Sequence, residues 1–98
     1  MLVKIHNSYR TIVAICDSDL IGKKFEQGNK QIEVKENFFK GQEKTEKEVL
    51  HIIEMQSSED ATFNIVGKKS IETALKSGII NQEGIIEIQG VPVALVLL

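Results

Sequence analysis

The chain has one cysteine among 98 residues, so Cys16 has no partner for an internal disulfide and nothing points to a secreted, stapled fold. Long apolar runs are missing too. The longest, residues 91–98, falls far short of the roughly 20 residues a membrane-spanning helix needs, and residues 1–6 are too few and too mixed for the apolar centre of a signal peptide. A soluble, cytoplasmic protein without a membrane partner is expected. An excess of one charge is also absent: 12 basic and 14 acidic side chains leave a net charge of -2, which exerts no global pull toward nucleic acid or anionic lipid. Binding to either needs a local patch. Repeats, low-complexity segments and linkers are lacking, and the length fits a single domain over residues 1–98 with one modest core.

What is present reads as alternating short strands and helices. β-branched residues dominate positions 2–5 and 10–16, and His6-Asn7-Ser8-Tyr9 between them suits a turn, which predicts an N-terminal hairpin. Asp17-Ser18-Asp19 is a helix-capping cluster, but Gly22 follows so soon that at most one helical turn forms. Phe25, Ile32 and Val34, with Gly28-Asn29 between them, alternate with polar residues as on a half-buried strand. Thr45 and Glu48 have the spacing of a capping box. Val49, Ile52, Ile53 and Gln56 share one face of the helix it opens, which ends near Ser57-Ser58. Residues 61–66 are predicted as a strand stopped by Gly67, and residues 70–77 as a short helix with Gly78 as its left-handed cap. Residues 84–88 and 91–98 read as strands joined by a tight turn at Gln89-Gly90, with Pro92 unsuited to a central hydrogen-bonded position. The sum is an α+β domain, a mixed or mostly antiparallel sheet of about five or six strands packed with two helices.

Gly67-Lys68-Lys69-Ser70, between a strand and a helix, has the ingredients of a phosphate loop: free backbone N–H groups, the positive end of a helix and two lysines. The spacing is not that of a P-loop, which needs glycine where Thr62 stands and Ser or Thr where Lys69 stands. A weaker contact to an anion or an RNA phosphate is expected there, with Lys23 and Lys24 as further candidates; the plain alternative is a solvated helix start. Asp17-x-Asp19-x-x-Gly22 supplies two carboxylates of a calcium loop, but Ile21 occupies a ligand position and Gly28 stands where the final glutamate belongs, so helix capping is the simpler account.

His6 and His51 have no partner at metal-ligand spacing, and His51 between Glu48 and Glu54 reads as a surface ion pair. Cys16 lacks a basic neighbour and precedes an aspartate, which suits a small core residue rather than a nucleophile. No catalytic residue, metal site or cofactor follows from these residues. Lys23, Lys24, Lys30, Lys35, Lys40, Lys44 and Lys47 concentrate positive charge in the middle third with glutamates interleaved, which suits either a nucleic-acid footprint or a solvated face. Phe38 and Phe39 either plug the core or stand out as aromatic contacts.

Four blocks in order, CDSDLIGKKFEQG, IEVKENFFKG, ATFNIVGKKSIETALKSGII and IQGVPVALV, resemble an uncharacterised archaeal family, a domain of unknown function, over nearly the whole chain. The resemblance implies a compact α+β domain of the archaeal cytoplasm without established activity. It also implies genes that often neighbour translation genes, and hence a translation- or RNA-linked accessory role. The family's last block has a histidine after the proline where this chain has Val93, and a polar residue is more usual where Leu95 stands. Any function of that histidine is absent here. Three readings result: a small binding module for RNA or a ribosome-associated protein, a homodimer pairing through the apolar strand at 91–98, and an enzyme or binder of a phosphorylated small molecule at the Gly67 to Ser70 turn.

Overall fold

Two strands buried on both faces set the architecture. In the computed structural model, which describes residues 1–98, β2 (Thr11–Cys16) and β6 (Thr62–Val66) lie side by side and parallel, in register from Ile12 opposite Thr62 to Cys16 opposite Val66. TIVAIC and TFNIV are nearly unbroken apolar runs, the pattern of strands covered above and below. β1 (Leu2–Asn7) pairs antiparallel with β2, and the two-residue β5 (Gln42–Glu43) forms the edge beyond it. Gly41 enables that edge, since a Cβ there would lie 2.0 Å from the Val3 carbonyl oxygen. On the other side β8 (Val91–Val96) pairs with β6 and β7 (Ile86–Ile88) pairs with β8, giving the order β5-β1-β2-β6-β8-β7.

Helices cover one face. α2 (Glu46–Ser57) opens with the predicted capping box, in which the Glu48 N–H donates to Thr45 Oγ1 at 3.2 Å and the Thr45 N–H to Glu48 Oε1 at 2.9 Å. It buries Val49 and Ile53, one turn apart, while α3 (Lys68–Ser77) buries Ile71 and Ala74 and ends at Gly78 in the left-handed conformation. These meet Val3, Val13, Ile15, Phe63, Ile65 and Ala94 in the larger of two core clusters. No helix is long and apolar enough to cross a membrane.

The opposite face is covered by a second, two-stranded sheet, β3 (Lys24–Gln27) with β4 (Lys30–Glu33), and by the one-turn helix α1 (Glu36–Phe39). The segment around Gly28-Asn29 is thus a hairpin rather than one strand, with Phe25 opposite Ile32. Ala14 and Cys16 are small enough to let Val34 and Phe39 seat directly on the sheet. β1 also runs further than predicted: His6 and Asn7 pair with Ile12 and Thr11, which shifts the turn onward. The Gln89-Gly90 turn forms as predicted, with φ of 52° and 78°. Pro92 is tolerated because its carbonyl accepts from Gly67 N–H at 2.9 Å while the Gly67 carbonyl is spent on Ile71 N–H, so nothing opposite needs the donor that proline lacks.

Candidate functional site

The turn between β6 and α3 is closed by a carboxylate from the end of β2. Parallel pairing sets Asp17 beside Gly67, and the Asp17 N–H donates to the Val66 carbonyl at 3.0 Å. Asp17 Oδ1 accepts from Ser70 N–H and Ser70 Oγ, both at 2.8 Å, and Oδ2 from Lys69 N–H at 3.1 Å. The positive end of α3 is therefore matched by an internal anion. Gly67 is required twice, by its φ of 111° and because a Cβ there would lie 2.4 Å from Asp17 Cγ. The Asp17-Ser18-Asp19 cluster caps a helix, as its composition suggests, but a distant one; the 3-10 turn at Ser18–Leu20 receives no side-chain cap.

Of the backbone donors at this turn, those of Gly67, Lys69 and Ser70 are thus engaged, and the exposed side chains of Lys68 and Lys69 are its main offer to solvent. They border a cleft of about 570 Å³ that also holds Asp17, Asp19, Glu43 and the Met1 ammonium, three carboxylates against three cations, so the cleft presents no net positive field to an anion. Glu43 receives the Met1 ammonium and the Ser18 hydroxyl, which hold its carboxyl below the usual range. Lys23 and Lys24 stand apart at the foot of the β3–β4 hairpin, Lys24 paired with Glu26 at 3.2 Å, and border none of the five cavities.

A second cavity, of about 550 Å³, lies where β1, β4, β6 and α1 meet. His6 and Phe38 line it as a stacked pair, with ring centroids 4.7 Å apart and planes 20° from parallel. His6 Nε2 lies 2.8 Å from the Phe38 carbonyl oxygen, and a carbonyl only accepts, so the ring proton is assigned to Nε2. Asn37 and Asn64 add two carboxamides, and Lys35 and Glu33 one charge of each sign. Asn64 is half-buried on the central strand β6, between Ala14 of β2 and Leu95 of β8; it lines the cavity, and its carboxamide bonds to nothing within the chain and is open to solvent. Aromatic faces, amide donors and acceptors and a cation around one space suit recognition of a planar polar group. Nucleophilic chemistry has no such support: burial, and then the charge of Asp17, push the Cys16 thiol up to about 12.

Residues 5–98 match a family described as Protein of unknown function (DUF424). The chain belongs to the DUF424 family. A solved structure described as an uncharacterized conserved protein from Methanopyrus kandleri is similar to it, at 22% sequence identity and a TM-score of 0.85, over 98% of this chain and 90% of that one. At that identity the likeness shows the fold alone. No curated protein matches the chain.

In this DUF424 domain the paired phenylalanines part company. Phe39 is 3% exposed and belongs to the core, not to an aromatic contact surface, because α1 turns its ring edge-on to Phe38 and down onto Ala14 and Cys16. Phe38 stays half-buried at the cavity. His6 and Asn64 are the residues that sequence reasoning missed. The signal for Asn64 was an amide inside the otherwise apolar strand ATFNIV, where the neighbouring strands offer only Ala14 and Leu95.

Proposed function

We propose that this DUF424 domain is a small non-catalytic binding module that takes RNA on the face built by the β3–β4 hairpin and α1. Charge distribution carries the proposal. Residues 23–40 hold five lysines against three glutamates, whereas the rest of the chain holds seven basic and eleven acidic side chains. A net charge of -2 thus conceals a positive layer on an acidic body. Lys24 alone of these five is in an ion pair; Lys23, Lys30, Lys35 and Lys40 are exposed and able to meet phosphates, releasing counterions as they do. The translation-linked role implied by the family resemblance, with RNA or a ribosome-associated protein as partner, suits such a module. Its non-catalytic character is supported by the occupation of its buried polar groups, the Cys16 thiol held protonated and Asp17 bound by three donors. Lys68 and Lys69 remain as candidate secondary phosphate contacts through their side chains.

Fluorescence anisotropy with a labelled single-stranded RNA tests the proposal. Affinity is expected to fall steeply between about 50 and 200 mM salt and to be lost when Lys30, Lys35 and Lys40 are all changed to Glu. A flat titration at the lower salt refutes it.

The apolar C-terminal strand favours homodimerisation as a second reading. β7 pairs with β8 only at residues 91–93, so past Val93 that side has no strand partner, and Leu95 and Leu97 are 58% and 71% exposed. An uncharged bare edge is a template for a second copy. Sedimentation equilibrium should show a dimer that Leu95→Lys converts to monomer; an 11.0 kDa species at every concentration excludes it. A phosphorylated small molecule at the Gly67 to Ser70 turn would have to displace Asp17 from three hydrogen bonds, and no feature favours it over these two.

A further inference from the structure

We infer that the cavity between β1, β4, β6 and α1 holds a nucleobase, supplied by an unpaired strand whose phosphates run over the lysines of the hairpin face. The strand rests on the function proposed above; the base rests on separate groups. At about 550 Å³ the cavity is within the range of small-ligand sites and has room for a base with its ribose. Its wall already contains a stack, His6 on Phe38 at 4.7 Å, and unpaired bases are held by adding to such aromatic faces.

Asn64 supplies the hydrogen-bonding edge. Its carboxamide, flanked by Ala14 and Leu95 and without a partner within the chain, is open to solvent, and its adjacent donor and acceptor match the edge of a base. Asn37 brings a second carboxamide, on main chain held at the cavity by Lys4, whose ammonium donates to the Asn37 backbone carbonyl at 2.9 Å. Glu33 and Lys35 leave the lining without net charge, which suits an uncharged ring, and Lys35 offers a cation to the phosphate that leaves the base. An uncharged planar ring inside and its phosphate outside is the arrangement these charges select.

The test has two arms. Amide shifts in ¹H-¹⁵N spectra of the wild-type protein are mapped with each of the four nucleoside monophosphates; shifts centred on His6, Asn37, Phe38 and Asn64 are expected. Shifts elsewhere, or none at millimolar nucleotide, overturn the site irrespective of strand binding. In the second arm, RNA and DNA oligomers of one sequence are titrated against wild type, Asn64→Leu and Phe38→Leu, with thermal unfolding confirming that both variants fold. Both are expected to bind about tenfold more weakly with an unchanged salt slope, whereas Lys35→Ala should lower the slope. Weaker binding by both variants with RNA only, or with both oligomers, supports the site and identifies which strand supplies the base. Variants that bind as wild type does overturn the site and leave the RNA-binding module standing. Strands that fail to bind while monophosphates still shift the cavity support the site and remove the module.

Discussion

Asp17 does at residue scale what a bound anion would do at the start of α3, from a position 53 residues before Ser70. Asp17→Ala should therefore cost about 2 kcal/mol, the loss of a cap together with a buried hydroxyl left without its acceptor. Asp17→Asn, which keeps one acceptor oxygen, should cost less. Gly67→Ala should be at least as harmful as Asp17→Ala, because the added methyl both strains a left-handed φ and strikes the Asp17 carboxylate. Urea denaturation measures all three, and a Gly67→Ala protein of wild-type stability would contradict the close approach. Cys16 next door gives a chemical readout. Its folded value of about 12 lies above the ordinary 9.0, so its contribution to stability is intact below pH 9 and is lost as pH rises from there toward 12, where the unfolded chain ionises first. Iodoacetamide at pH 8 should leave native Cys16 unmodified and label it only as denaturant unfolds the protein; rapid labelling without denaturant would show that the thiol is reachable.

At the scale of elements, α2 is the piece whose start can be titrated. The Thr45 N–H and hydroxyl hold the Glu48 carboxyl below its ordinary 4.5, so the capping box contributes fully above that pH and is lost as pH falls through the lowered folded value. Thr45→Ala should cost about 1 kcal/mol at neutral pH, and Glu48→Gln, which removes the titrating carboxyl, should flatten the acid limb of a melting-temperature profile; an unchanged limb in Glu48→Gln would place the acid sensitivity elsewhere. This box, the Gly78 cap and the Gln89-Gly90 turn were legible in the sequence because signal and partner lie within a few residues. Asp17 was not, since a capping residue normally serves the helix that follows it, and only the parallel pairing of β2 with β6 hands it to α3. The cavity was illegible for the same reason: His6, Phe38 and Asn64 come from three elements, and each alone reads as an ordinary surface or core residue. Phe38 and Phe39 could be read only as a pair, whereas a single turn of helix sends one ring into the core and leaves the other beside the cavity.

Over the whole molecule the two faces of the sheet are unequally sealed. Eleven buried residues join the helices to the sheet, and five join the hairpin layer to it. The hairpin is held instead by polar ties. Gln89, itself at a positive φ, accepts from Glu26 N–H at 2.9 Å and donates its own N–H to Gln27 Oε1 at 2.6 Å, while Gly22 and Lys23 exchange backbone bonds with Val34 at 2.7 and 2.8 Å. Exposed bonds of this kind compete with water and add little, whereas burial of Phe63, fully enclosed in the larger cluster, is worth about 3–5 kcal/mol against alanine. The hairpin layer should therefore open as a unit below the free energy of global unfolding. Native-state hydrogen exchange is expected to show β3 and β4 amides exchanging at lower free energy than those of β2 and β6, and Gln89→Ala should widen the gap without changing protection of the central strands. Because the cavity lies between this layer and the sheet, a nucleic-acid strand seated in it should raise protection in the hairpin alone. Equal protection across both layers would mean that the sheet and hairpin unfold together, and the hairpin face would then be a rigid platform rather than a layer that ligand binding can order.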